Sequence, residues 1–221
     1  MQKQDAKKSN NTIKWVLATV ILITTIIGGS FFSGTFYPNN WIVEKIEEDF
    51  HKKELDKVVL LGLKEPEFDY SDKTSFIEAT GRCIEYLNYT TDRFRRVPTS
   101  IIIAMAGVES GWGTSRFATE GNALFGVRTW DLKTIPHMKA LGNPDANWGV
   151  RKYKSKCKSI EDMIGILNRH PAYSEFRAER ELQLDAGSWN YRKLMLLMTA
   201  WSTNPDYHEI ILQAILDNKL P

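Results

Sequence analysis

VESGWGTSRFATEGNALFG, residues 108–126, follows an uncharged run, PTSIIIAMAGV, and places a carboxylate, Glu109, at its end. The run IIIAMAGV is apolar on every side, which predicts a helix buried all round. Proline suits a first helical turn, so this helix starts at Pro98 or Thr99. Gly111 stops it, as glycine does just past a helix end. Glu109 therefore stands in the last turn, among apolar neighbours. Burial disfavours a carboxylate's charge, and so does the partial negative charge of a helix C-terminus. Both effects favour the protonated acid, and a protonated acid can donate a proton to a leaving group. Gly111 and Gly113 let backbone or substrate approach closely. The competing reading is structural: a glutamate paired with Arg116 or capping a neighbouring loop.

Aromatic residues crowd the same region: Trp112, Phe117, Phe125, Trp130, Trp148 and Tyr153. Flat aromatic faces suit the apolar faces of sugar rings, and they equally suit a core. Trp112, between glycines beside the acid, is the first candidate for a cleft. From Asn122 to Lys158, Gly126, Gly142, Gly149 and Asn143-Pro144-Asp145 predict irregular loops and a short hairpin. RKYKSKCKS, residues 151–159, reads either as an edge strand guarded by lysines or as a positive rim for an anionic polymer.

Helices flank this segment. Residues 74–94 carry Phe76, Ile77, Ile84, Leu87 and Phe94 near helical spacing. Ser159 with Asp162 resembles a capping-box start, with Ile160, Met163, Ile164 and Leu167 facing inward, and Pro171 ends that helix. Ser188 can cap a helix holding Leu194, Leu197, Met198 and Trp201. Asn204-Pro205-Asp206 opens the last, with Ile210, Ile211, Ala214 and Ile215 on its apolar face. The expected fold is mainly α with a small β-hairpin region.

VPTSIIIAMAGVESGWGTSRFATEGNALFG resembles the core motif of the Bax-like and FlgJ-like glucosaminidases, glycoside hydrolase family 73 of the lysozyme-like superfamily. The resemblance continues through YKSKCKSIEDMIGILNRHPAYSEFR and closes on AWSTNPDYHEIILQAI, covering about residues 76–220. It implies a lysozyme-like helical domain that cleaves the β-1,4 bond after N-acetylglucosamine in peptidoglycan glycan strands. It makes Glu109 the general acid and brings Tyr207 to the cleft as a second catalytic residue. Trp112, Asn122, Phe125, Trp130 and Tyr153 are the expected substrate-binding residues. Trp201 stands where the family segment opens on tyrosine.

One departure bears on mechanism. Family hydrolases often carry a second glutamate downstream, yet no glutamate lies between Glu120 and Glu161. Asp131 and Asp145 are the candidates for a second acid. A single-acid route is the other option, with the substrate's N-acetyl group or an internal hydroxyl attacking, the latter as in lytic transglycosylases. A catalytically weak peptidoglycan-binding scaffold is the alternative from outside enzymology.

The 221 residues suggest one ordinary domain with additions. Lys3, Lys7, Lys8 and Lys14 face only Asp5, and no charge follows until Glu44. Residues 15–32, WVLATVILITTIIGGSFF, are long enough to cross a bilayer, which takes about 20 apolar residues. The expected layout is a cytoplasmic basic tail over 1–14, an anchor over 15–32, a tether and linker over 33–73 and the catalytic domain over 74–221. The basic flank keeps the tail inside, which puts the domain on the periplasmic or extracytoplasmic face of the cytoplasmic membrane. A cleaved signal peptide is the rival, with Gly28-Gly29-Ser30 as small residues.

Charge and motifs limit other functions. A net charge of +2, with acids and bases interspersed, gives nucleic-acid binding no support. His51, His137, His170 and His208 are scattered, without metal-ligand spacing, so neither metal nor cofactor is expected. Cys83 and Cys157 read as two unrelated buried thiols in preference to a disulfide, which an oxidising compartment would permit. The expected partners are peptidoglycan and, through the anchor, a membrane.

Overall fold

A computed structural model of the chain describes residues 2–36 and 40–221. The chain divides into two units, Met1–Lys53 and Glu54–Pro221. In the first, helix α1 spans Gln2–Phe36. Its segment Ile13–Phe31 has a mean hydropathy of 1.8 and is wholly exposed, so it is long and apolar enough for a membrane anchor or a signal sequence. Helix α2, Asn40–Leu60, lies within the segment 33–73 read as tether and linker. Its apolar Ile42, Ile46, Val59 and Leu60 are exposed.

The second unit is built around α4, Thr99–Ser110. Ser100 to Gly107 are all buried, as an uncharged run with no polar face requires. Helix α3, Lys73–Asn88, packs on one side and α9, Tyr207–Asp217, on another. Asp72 starts α3 with a reciprocal capping box to Ser75, which satisfies two otherwise unpaired N–H groups. Helix α5 is Arg116–Gly121, α6 Lys156–Arg169, α7 Ser174–Ala186 and α8 Tyr191–Leu196. Between α5 and α6 lie β1 (Arg128–Thr129), β2 (His137–Met138) and β3 (Gly149–Arg151). They form an antiparallel sheet in the order β1-β3-β2, with Arg128 opposite Val150 and His137 opposite Arg151. The mainly α fold with a small β element holds.

Several local expectations are corrected. Cys83 of α3 and Cys157 of α6 form a disulfide, with Cα atoms 5.4 Å apart, so they are not unrelated thiols. Helix α6 is capped by Ser155, whose side chain accepts from the Lys158 N–H; Ser159 sits inside the helix, buried, accepting from the Leu124 N–H at 3.0 Å. A serine can serve either a helix end or a neighbouring loop, and here the loop takes it. Asn190, not Ser188, caps α8, and that helix ends at Leu196, before Met198 and Trp201. Helix α3 stops at Asn88, so Phe94 lies beyond it in a 3-10 turn and is exposed. The basic stretch is not an edge strand: β3 is central and ends at Arg151, and α6 begins at Lys156. Residues 63–70, within the expected linker, have no regular secondary structure. Phe68 and Tyr70 pack edge-on against Phe76, and the Tyr70 hydroxyl donates to the Gly113 carbonyl at 2.7 Å.

Candidate active site

The end of α4 positions the acid. Gly111, Trp112 and Gly113 all adopt left-handed backbone, with φ of 60°, 54° and 84°. The turn is held by the Ser110 hydroxyl, which accepts from the Gly113 N–H at 2.8 Å. Such a conformation costs little for glycine and more for tryptophan. Trp112 is held there by its own packing: its ring lies where a Cβ on Gly107 would stand, at 2.5 Å, and meets Phe76 edge-on. Lys73 stands over the ring, 4.1 Å from its centroid. The glycine-rich turn therefore folds Trp112 back onto α4.

Glu109 itself is exposed. The expected loss of water around it is not met, because α4 surfaces in its last turn and opens into a cleft. The cleft encloses roughly 420 Å³, with Phe125, Arg128, Ile166, Trp201 and Thr203 among its walls. Two donors converge on one carboxylate oxygen. The Tyr207 hydroxyl donates to Glu109 Oε1 at 2.8 Å, and the Trp201 indole N–H donates to the same atom at 3.2 Å. Indole N–H can only donate, so Oε1 is fixed as an acceptor. Oε2 has no hydrogen-bond partner among the described residues. Burial, then the charge of Glu109, push the Tyr207 hydroxyl well above its ordinary range, so it keeps its proton and remains a donor. Phe125 meets Trp201 edge-on at 6.3 Å and fixes the indole.

The structure gathers only part of the expected site. Glu109, Tyr207 and Phe125 come together, and Trp201 joins them. Trp112 lines a different hollow, with Lys73, Val108 and Gln213. Asn122 closes α5 in left-handed backbone; its amide donates to the Tyr153 carbonyl, and its Oδ1 accepts from Lys156. The Tyr153 hydroxyl donates to Asp162 at 2.7 Å, beside the Arg151–Asp162 ion pair, tying the sheet to α6. Burial first, then Asp162, raise its pKa. Trp130 is exposed at the end of β1. Asp131 accepts from the Lys133 and Thr134 N–H groups and from the Thr134 hydroxyl, an arrangement that lowers its pKa and ties it into its own turn. Asp145 is exposed in the loop before β3. Neither aspartate lines the cleft, and among the described residues Glu109 is the one carboxylate in its lining.

Sequence reasoning misses Trp201 and Arg128 as cleft residues. Trp201 comes with the WSTNPDY segment, whose last residue already points to the site. Nothing local marks Arg128.

Two curated relatives and one solved structure are similar to this chain. Protein bax of Escherichia coli (strain K12) is 36% identical over 93 residues, 42% of this chain and 32% of its own length. Exo-glucosaminidase LytG of Bacillus subtilis (strain 168) is 28% identical over 120 residues, 51% of this chain and 41% of its own length. The chain thus spans well under half of either relative. The catalytic domain of the autolysin Auto from Listeria monocytogenes has a like fold, with a TM-score of 0.51 at 19% identity, over 76% of this chain and 94% of that domain. Residues 89–220 match the Glucosaminidase family model, described as mannosyl-glycoprotein endo-beta-N-acetylglucosaminidase, and as this match spans more than half of the sequence the chain belongs to that family of glycoside hydrolases.

Proposed function

We propose that the protein cleaves the β-1,4 glycosidic bond after N-acetylglucosamine in peptidoglycan glycan strands, with Glu109 as general acid. The observation that carries this reading is the paired donation of Tyr207 and Trp201 to Oε1 of the one glutamate in the cleft wall, which leaves Oε2 without a partner among the described residues. An acid whose orientation is set in advance delivers its proton without reorganising. Trp130 offers an exposed ring on the sheet lobe for a further sugar.

Among the described residues the cleft wall holds no second carboxylate, which supports a single-acid route. Glu109 protonates the leaving oxygen as the bond breaks. The substrate's own acetamido oxygen then closes on the anomeric carbon, and water opens that ring with Glu109, now ionised, taking its proton. The same observation supports a lytic transglycosylase, in which an internal sugar hydroxyl replaces water. Digestion of purified peptidoglycan with product mass spectrometry tests the reading. Reducing ends are expected; anhydro-sugar ends assign the transglycosylase route, and intact strands sink both.

Tyr207 and Trp201 act through Glu109, as positioning residues. Tyr207→Phe removes the hydroxyl that orients Glu109 and is expected to lower kcat roughly 10-fold. Trp201→Phe removes a longer bond and should cost less. KM should hardly move in either variant, whereas a sugar-binding role would raise KM.

We also infer that Ile13–Phe31 anchors the catalytic domain outside the cytoplasm. The basic flank of the segment and the Cys83–Cys157 disulfide support this, since disulfides persist in oxidising compartments. An alkaline phosphatase reporter fused after Pro221 should be active, and a cytoplasmic-only reporter there should be silent. A mature chain lacking residues 1–30 would show cleavage instead of anchoring.

A further inference from the structure

Arg128 is exposed in β1 and forms part of the cleft wall that also contains Glu109. Its guanidinium lies 4.1 Å from the centroid of the Trp148 ring. The sheet register sets this pair. Arg128 stands opposite Val150, and Trp148, two residues earlier, is its diagonal neighbour, within reach of a long side chain. Cation–π contact with the indole face restrains the guanidinium at this place. The five N–H donors along its edge have no hydrogen bond or ion pair among the described residues. Four other arginines of this unit are engaged: Arg116 with Glu120 and the Lys139 carbonyl, Arg151 with Asp162, Arg180 with Asn168, Arg192 with Glu209. A held, unpaired guanidinium in a cleft wall matches a planar anion, since a carboxylate takes two parallel N–H bonds from it.

We propose that Arg128, held by Trp148, is a specificity residue that binds a carboxylate carried by the glycan beside the scissile bond. The inference rests on the glycan-cleaving reading of the same cleft and names what that reading leaves open: the enzyme selects strands with carboxylates over neutral strands of N-acetylglucosamine. Two sources present this group in peptidoglycan. One is the lactyl carboxylate of a muramyl residue freed of its peptide; the other is a carboxylate of an attached stem peptide.

The test compares three substrates with the full chain in detergent: glycan strands with stem peptides, strands stripped of peptides, and neutral chitooligosaccharides. Arg128→Ala is expected to lower kcat/KM roughly 10-fold on a carboxylate-bearing strand, the loss of one charge-assisted contact, and to leave the neutral substrate nearly unchanged. Stripped strands suffering the larger loss assign the lactyl carboxylate, and peptide-bearing strands the stem peptide. Trp148→Leu should reproduce part of the loss. Arg128→Lys should recover less than half of it, because ammonium lacks the planar fork. Equal losses on charged and neutral strands, or none, overturn the proposal. Calorimetric binding of the same strands separates it from the cleavage reading. Should the wild-type chain cleave nothing, Arg128-dependent preference for carboxylate strands in binding keeps the inference and sinks only the enzyme; binding indifferent to Arg128 sinks the inference.

Discussion

Glu109→Gln is expected to lower glycan cleavage at least roughly 100-fold, the low end for loss of a general acid. The glutamine amide keeps the shape of the side chain and can still accept from Tyr207 and Trp201 through its oxygen. What it lacks is a transferable proton at the position of Oε2. The loss should therefore fall on kcat, with strand binding retained. Circular dichroism and thermal unfolding of the variant should match the wild type, because Glu109 is exposed and its exchange opens no cavity. Retained binding with lost cleavage separates an enzyme from a peptidoglycan-binding scaffold. Wild-type rates in the variant would make the acid structural, and the role assigned to Tyr207 and Trp201 would fall with it.

How much of this was legible in the sequence depended on how local the physics is. An uncharged run closed by glycine dictates a buried helix and its end, so α4 and the place of Glu109 follow from neighbours in the chain. Glu109's exposure does not follow. It depends on where α4 surfaces, which α9 and the segment around Trp201 decide from some 90 residues away. The same limit governs Trp112. Its flanking glycines announce an unusual turn, but the turn bends the ring toward Gly107 and Phe76 and away from the cleft of Glu109. Serine caps are ambiguous for a different reason. Ser155 and Ser159 both precede apolar helical spacing; Ser155 is the cap, and Ser159 accepts from the distant Leu124 N–H, a partner that its neighbours in the chain do not announce. Helix α7 was invisible because its sequence, SEFRAERELQLDA, is dominated by charge. It buries Phe176 and two polar residues, Arg180 and Gln183. Arg180 donates to Asn168 at 2.8 Å, and its burial lowers its pKa to about 10.

The cysteine pair was the least legible feature, and removing it should have the largest effect on stability. Cys83 and Cys157 are 74 residues apart, and both side chains are fully buried. Closing a loop of that length restricts the unfolded chain by about 4 kcal/mol on the chain-entropy account. The double variant Cys83→Ala/Cys157→Ala, which leaves no free thiol, is expected to lose about that much in urea unfolding, and its Tm should fall by roughly 10 °C. Adding dithiothreitol should destabilise the wild type similarly and leave the variant unmoved. The pair joins α3, which packs against the acid-bearing α4, to α6, which supplies Ile166 to the cleft wall. Neither cysteine lines that cleft, so cleavage at low temperature should persist in the variant and fail early on warming. A loss below about 1 kcal/mol would mean that the unfolded chain is already compact enough for the bond to restrict little, and that the α3–α6 contact is held by packing.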